Sequence, residues 1–245
     1  MAAVASPGRS LRLVHLTTTD MSLDWLLGPQ LRAFAEAGYE VIGAPAPGRH
    51  GEALEAAGTR HVALRHATRA MDPRQDVAAL VELRRLFDEL APDLVHTHNP
   101  KPGVYGRVAA RLAGVPVVNT QHGLYATPED RLARRAVVYG LERAAAACSD
   151  AELVQNEEDL ELLSHLGVPR SRLVLLGNGI DLERFGPHLA TPERRAAVRA
   201  ELGIGPDEVV VGLVGRLVAE KGYREVFAAA ALLDGYVDLE DAAPT

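Results

Sequence analysis

The chain has a single cysteine, Cys148, no long apolar run and no surplus of positive charge. One thiol excludes an intramolecular disulfide framework and any cysteine-rich zinc site. Following a run of alanines, it reads as a small buried hydrophobe rather than a reactive thiol. The longest apolar stretches are short and alanine-rich, far below the ~20 residues that a membrane span requires. Lys and Arg number 26 against 33 for Asp and Glu, a formal charge of −7, so the basic footprint of a general nucleic-acid binder is missing and no nucleic-acid partner is expected. Met1 to Ser10 holds one Arg and no apolar segment of the secretory kind, which makes a cytoplasmic protein the expectation.

What is present is ordinary for a globular chain: 245 residues, 47% hydrophobic and 24% charged, room for one large domain or two ordinary ones. Short β-branched runs alternate with longer amphipathic helical patterns, the signature of an α/β protein with a parallel sheet. Leu11–Leu16, Tyr39–Gly43, His61–Leu64, Leu94–Thr97, Val115–Thr120, Leu153-Val154 and Leu173–Leu176 read as strands. Gly38, Gly58 and Gly114 stand where helices should close. Asp76–Leu90 should bury a stripe of Val77, Leu80, Val81, Leu83, Leu86, Phe87 and Leu90. Phe185-Gly186-Pro187-His188 reads as a linker, giving domains at 1–187 and 188–245. Beyond it, Val209–Val214 is continuously apolar and should be a strand buried on both faces. A single central strand is no core for so short a segment, and the second domain looks cut off.

Ligands of parallel sheets bind at the loops after the strands' carboxyl ends, and four such loops carry unusual chemistry. Thr17–Ser22 offers hydroxyls, among them Thr18, at a helix N-terminus that favours anions. It lacks the glycines of a dinucleotide fingerprint, and Asp20 would repel a close phosphate or simply cap the helix. His96 and His98 share a strand face, but two imidazoles are too few for a metal site; Lys101 follows as an anion contact or a solvated side chain. His122, in Thr120-Gln121-His122-Gly123, can act as acid, base or donor near neutral pH. In Gly215–Gly222, Arg216 and Lys221 flank a tight loop before a helix. Together, as a planar fork and a point charge, they could neutralise a diphosphate.

Taken in order, these stretches resemble a GT-B glycosyltransferase of the retaining family 4. The resemblance rests on Asp93–His98 with Lys101-Pro102-Gly103, on Thr120–Gly123, on Gly177-Asn178-Gly179-Ile180-Asp181 with Phe185, and on the Gly215–Gly222 loop. Leu16–Leu23 is similar to a subgroup that builds bacterial surface polysaccharides. The resemblance implies a complete N-terminal Rossmann-like domain for the acceptor and an incomplete second one for a nucleotide-sugar donor. It implies that His122 lies beside the donor sugar as the catalytic histidine. It implies also that Arg216 and Lys221 hold the leaving diphosphate without a metal or other cofactor. Thr18, Asp20, His98 and Lys101 would line the acceptor side or the cleft loops. Thr18-Thr19-Asp20 replaces the family's glycine pair, and the family's paired-glutamate motif falls beyond the last residue, so this chain alone should be impaired. The acceptor would be a glycan or a lipid-linked glycan. Arg131, Arg134, Arg135 and Arg143, interleaved with Leu132, Val137, Val138 and Leu141, would serve peripheral contact with the inner face of a membrane, or else form a solvated helix face over a core stripe. Two other classes fit the residues less well: a non-catalytic acceptor-binding or scaffold subunit completed by another chain, and a nucleotide-sugar epimerase of the same architecture.

Overall fold

A computed structural model describes residues 9–68, 72–98, 101–124, 126 and 130–234. The chain forms two compact units, Met1–Gly179 and Ile180–Thr245. The division falls ahead of the Phe185–His188 linker. The last backbone donors to the sheet are Leu176 and Gly177, both to the Val154 carbonyl.

Unit 1 is built on seven strands: β1 (Arg12–Thr19), β2 (Glu40–Ala46), β3 (Arg60–His61), β4 (Leu94–His98), β5 (Val117–Gln121), β6 (Ala151–Val154) and β7 (Leu173–Leu175). Their order is β3-β2-β1-β4-β5-β6-β7 and every neighbouring pair is parallel. The chain runs outward from β1 to β3 and returns to β4 on the other side of β1. The carboxyl ends of β1 and β4 therefore flank a topological switch point, where open α/β sheets leave a crevice. The crossovers are α1 (Gly28–Glu36), α2 (Gly51–Ala56), α3 (Pro73–Leu90), α4 (Lys101–Ala113), α5 (Leu132–Ala146) and α6 (Glu157–His165).

Alternation along the strands sorts the core onto two faces. Val14, Leu16, Ile42, Ala44 and Val95 pack with Leu83, Phe87 and Leu90 of α3 and Tyr105 and Ala109 of α4. Val41 packs on the opposite face with Leu23, Leu27, Leu31 and Leu54. Helix α3 starts at Asp72, whose side chain accepts from the backbone N–H of Arg74 and Gln75. Its buried stripe is narrower than expected. Ala79, Leu83, Phe87 and Leu90 are buried, whereas Val77 and Val81 are exposed because they point off the sheet. Helix α4 lies so close to the sheet that a Cβ on Gly106 would stand 2.6 Å from Leu16 Cδ1 and 2.9 Å from Thr97 Cγ2.

Several elements differ from the expected ones. β1 continues through Thr19, so Thr17 and Thr18 belong to the strand. The following helix is broken into a π-helical turn, Ser22–Leu26, and then α1. The sequence pattern predicts a helix over Pro128–Ala147 with the proline near its first turn; α5 begins at Leu132, and Pro128 lies outside the described residues. Cys148 is half-buried, with its thiol against the Ala144 carbonyl at 3.8 Å.

Unit 2 contains α7 (Leu182–Phe185), α8 (Pro192–Glu201) and α9 (Tyr223–Asp234). The expected strand Val209–Val214 is not one: it makes no ladder among the described residues, and Val209 and Val214 are 90% and 101% exposed. An apolar run becomes a doubly buried strand only where sheet neighbours exist to pair and cover it.

Candidate active site

Four histidines meet at the carboxyl end of the sheet. β1 and β4 pair with His15 opposite His96, and His98 follows two residues on along the same face. The ring centroids of His15 and His96 are 4.8 Å apart, and those of His96 and His98 4.3 Å. His122 directly follows β5, and Gly123 after it takes a left-handed φ of +104° that frees the chain to turn. That turn brings His122 Nε2 to 3.0 Å from His98 Nδ1, while His98 Nε2 lies 3.3 Å from His15 Nδ1. His96 Nε2 is 2.7 Å from the Thr120 hydroxyl. Burial, reinforced by the neighbouring imidazoles, pushes His15 and His98 well below the usual histidine range and His96 down to about 4. His122 is half-buried; burial lowers it too, against a hydrogen bond with the Gln155 side chain that raises it. All four rings are therefore neutral at pH 7.

His15, His96 and His98 place ring nitrogens within 4.8 Å of one another, the one group of metal-ligand spacing among the described residues. The third imidazole was not foreseen. His15 and His98 already bond each other and His96 bonds Thr120, so the group satisfies much of its polarity internally, without a carboxylate.

Beside the histidines, Asp20 is buried and ties two loops together. Its carboxylate accepts from its neighbour Met21 N–H at 2.8 Å and from His50 N–H, in the loop after β2, at 2.6 Å. A Cβ on Gly48 would collide with that carboxylate, so the glycine makes the seat for it. His50 in turn meets Asp24 through Nδ1 at 2.7 Å. Asp20 thus serves the scaffold of the first loop. Thr18 Oγ1 is buried without a hydrogen-bond partner among the described residues.

Lys101 opens α4 and pairs with Asp76 of α3 at 2.5 Å; Asn99 and Pro100 before it lie outside the described residues. Two turns further on, Arg107 is fully buried. It donates to Glu152 Oε1 at 2.7 Å and Glu142 Oε1 at 2.8 Å, and its Nε donates to the Gly103 carbonyl. Asn119 donates to the other Glu152 oxygen at 2.8 Å and accepts from Thr97 at 2.8 Å. This network runs under the residues that carry His98 and His122.

In unit 2, Arg216 and Lys221 stand in one exposed, tightly folded loop before α9. Val218 N–H bonds the Arg216 carbonyl, Lys221 N–H bonds that of Val218, and Tyr223 Oη donates to Gly215. The turn closes on Gly222 at φ +71°. The short 3₁₀ segment Ala219–Lys221 lies between Arg216 and the start of α9 at Tyr223.

The family model described as Glycosyltransferase Family 4 matches residues 30–184, more than half of the chain. The chain belongs to that family. A galactosyltransferase of Escherichia coli that acts from UDP-Gal on α-D-GlcNAc-diphosphoundecaprenol is 36% identical over 60% of this chain and 38% of its own length. The putative glycosyltransferase EpsD of Bacillus subtilis is 31% identical over 66% and 43%. The chain thus spans about two fifths of the length of these two relatives. Among solved structures, a glycosyltransferase of Rickettsia africae superposes with a TM-score of 0.67 over 93% of this chain and 59% of its own, at 15% identity. A sucrose-phosphate synthase of Thermosynechococcus elongatus gives 0.68 over 91% and 60%, at 19% identity. The fold is the GT-B type that the sequence suggested.

Within this family 4 chain, unit 1 brings His98 and His122 together and keeps Asp20 and Lys101 as scaffold partners. His15, Gln155 and the Arg107 network escaped the sequence reading. His15 had one signal, a histidine inside the apolar run Leu13–Leu16.

Proposed function

We propose that this family 4 chain takes part in moving a sugar from a nucleotide-sugar donor to a glycan or lipid-linked acceptor in polysaccharide synthesis. The observation that carries the reading is His122, neutral and half-buried at the carboxyl end of β5, poised against His98. In this reading His122 faces the donor sugar, and Arg216 and Lys221 offset the charge of the departing diphosphate. Two cations in the loop before a helix would do what a metal otherwise does, and the reading calls for none. The acceptor class follows that of the Escherichia coli relative, which acts on a GlcNAc carried on diphosphoundecaprenol.

One surface supports a membrane-borne acceptor. On α5, Leu132, Val137 and Leu141 are 78%, 63% and 49% exposed, and Val138 is half-buried. Arg131, Arg134 and Arg143 are exposed alongside them. Val137 and Leu141 share a helix face with Arg134, which pairs with Asp130, and apolar side chains beside arginines suit an anionic bilayer surface and a cytoplasmic enzyme working at it.

The deciding experiment titrates the purified chain with uridine and guanosine diphosphates, with Arg216→Ala alongside. The expected outcome is binding of one nucleotide and at least a tenfold loss of affinity in the variant. A folded chain that binds neither, or binds equally well without Arg216, overturns the donor assignment. Sedimentation with anionic vesicles tests the α5 surface. Binding that survives neutralising Arg131, Arg134 and Arg143 removes it from the reading.

A further inference from the structure

His122 has two ring nitrogens, and which of them carries the proton decides what it can do to a ligand. The geometry behind it settles the choice. His15, His98 and His122 form a chain of imidazoles: His15 Nδ1 to His98 Nε2 at 3.3 Å, then His98 Nδ1 to His122 Nε2 at 3.0 Å. The rings of the second pair stack at 5.3 Å with 25° between planes. Each neutral imidazole has one N–H and one lone pair, so the chain can run in only two directions.

If His122 donated inward through Nε2–H, His98 would have to donate from Nε2 to His15 Nδ1. His15 would then carry its proton on Nε2. That atom is buried and has no hydrogen-bond partner among the described residues, with the Phe34 ring 5.7 Å from the His15 ring. A buried N–H without an acceptor is costlier and rarer than an idle lone pair. In the other direction the orphan atom is only a lone pair. His15 donates from Nδ1 to His98, and His98 donates from Nδ1 to His122. His96 stays out of the chain, because its Nε2 is taken by Thr120.

We infer that His98, backed by His15, is a positioning residue that locks His122 as the Nδ1–H tautomer, so that His122 offers a ligand no basic nitrogen. The Gln155 side chain also hydrogen-bonds the His122 ring, so a ligand reaching that ring shares or displaces the contact, as an acceptor such as a sugar hydroxyl or carbonyl oxygen can at Nδ1–H. The inference deepens the role proposed for His122 but rests on geometry inside unit 1.

The test needs no nucleotide and is independent of the donor titration. With histidine labelled by ¹⁵N, a long-range ¹H–¹⁵N spectrum near pH 7.5 reports which nitrogen of each ring is bare, and His122→Asn identifies the His122 signals. In the unsubstituted chain, His122 should be Nδ1–H almost entirely. His98→Phe keeps a ring of similar size but removes the donor. It should shift His122 towards the Nε2–H form that free histidines favour, leaving Nδ1–H a minority. His98→Asn places an amide N–H near the lost Nδ1–H and should restore the Nδ1–H form. A His122 that is Nε2–H in the unsubstituted chain overturns the inference, as does a tautomer ratio unmoved by His98→Phe. Should His98→Phe fail to fold, the spectrum of the unsubstituted chain decides alone.

Discussion

Arg107 and Glu152 face each other at 2.7 Å with both side chains wholly out of water. Burial opposes the Arg107 charge, but Glu152 and Glu142 more than offset it and hold the guanidinium above its ordinary range. Removing one member leaves the others as uncompensated buried charge. Arg107→Met should therefore cost about 3–5 kcal/mol, while replacing Arg107, Glu142 and Glu152 together by apolar residues should recover a good part of it. Urea unfolding of both variants is the check. A single variant no less stable than the parent would mean that the carboxylates take up protons cheaply instead.

The contrast between that network and the expected site shows what one sequence carries. The order of strands and helices was legible because apolar spacing changes from two to about 3.6 residues, and because Gly38, Gly58 and Gly114 take positive φ where helices close. His122 was visible because it ends a strand. Its bond to His98 was not, because residues far apart in sequence meet only through the β4–β5 pairing. Arg107 reads as one more polar residue of a helix; only burial gives it meaning. Lys101 and Asp20 carry charges that suit a ligand in sequence, but their partners Asp76 and His50 come from other elements.

The buried histidines should make stability depend on pH. In the unfolded chain these rings take up protons below about pH 6.5. Folded, His96 does so only near 4, and His15 and His98 are also held well below their ordinary range. Below pH 6.5 the unfolded state therefore binds more protons than the folded one, and stability is full above that pH and falls as pH drops towards 4. His96 alone accounts for about 3 kcal/mol over that window. Urea unfolding at pH 7.5, 5.5 and 4.5 should show the decline, and His96→Gln should make it shallower. Parallel slopes for the two proteins would remove His96 from the account.

Gly106 sets the distance between α4 and the sheet. Alanine is the better helix former by about 1 kcal/mol, so propensity favours Gly106→Ala. The added methyl would press on Leu16 and Thr97 at distances that demand movement of β1 or β4, and overpacking of this kind costs about 1–3 kcal/mol. Packing should win, with a net loss of roughly 1 kcal/mol. A higher urea midpoint for Gly106→Ala would show that the helix can lift off the strands freely.

Val209–Val214 is the remaining weak point. Val209, Val211 and Val214 are 90%, 78% and 101% exposed, and the run carries no charge. A β-branched, uncharged segment in no ladder among the described residues is a template for pairing between chains. Its amides should exchange with deuterium far faster than those of β1, β4 and β5, whose groups are bonded on both sides. The same segment should drive association that steepens with protein concentration. Val211→Lys places a charge in the middle of it and should suppress that association while leaving the exchange of β1, β4 and β5 unchanged. Slow exchange across Val209–Val214 in dilute protein would show instead that the run is paired in solution, and Val211→Lys would then destabilise the chain rather than keep it dispersed.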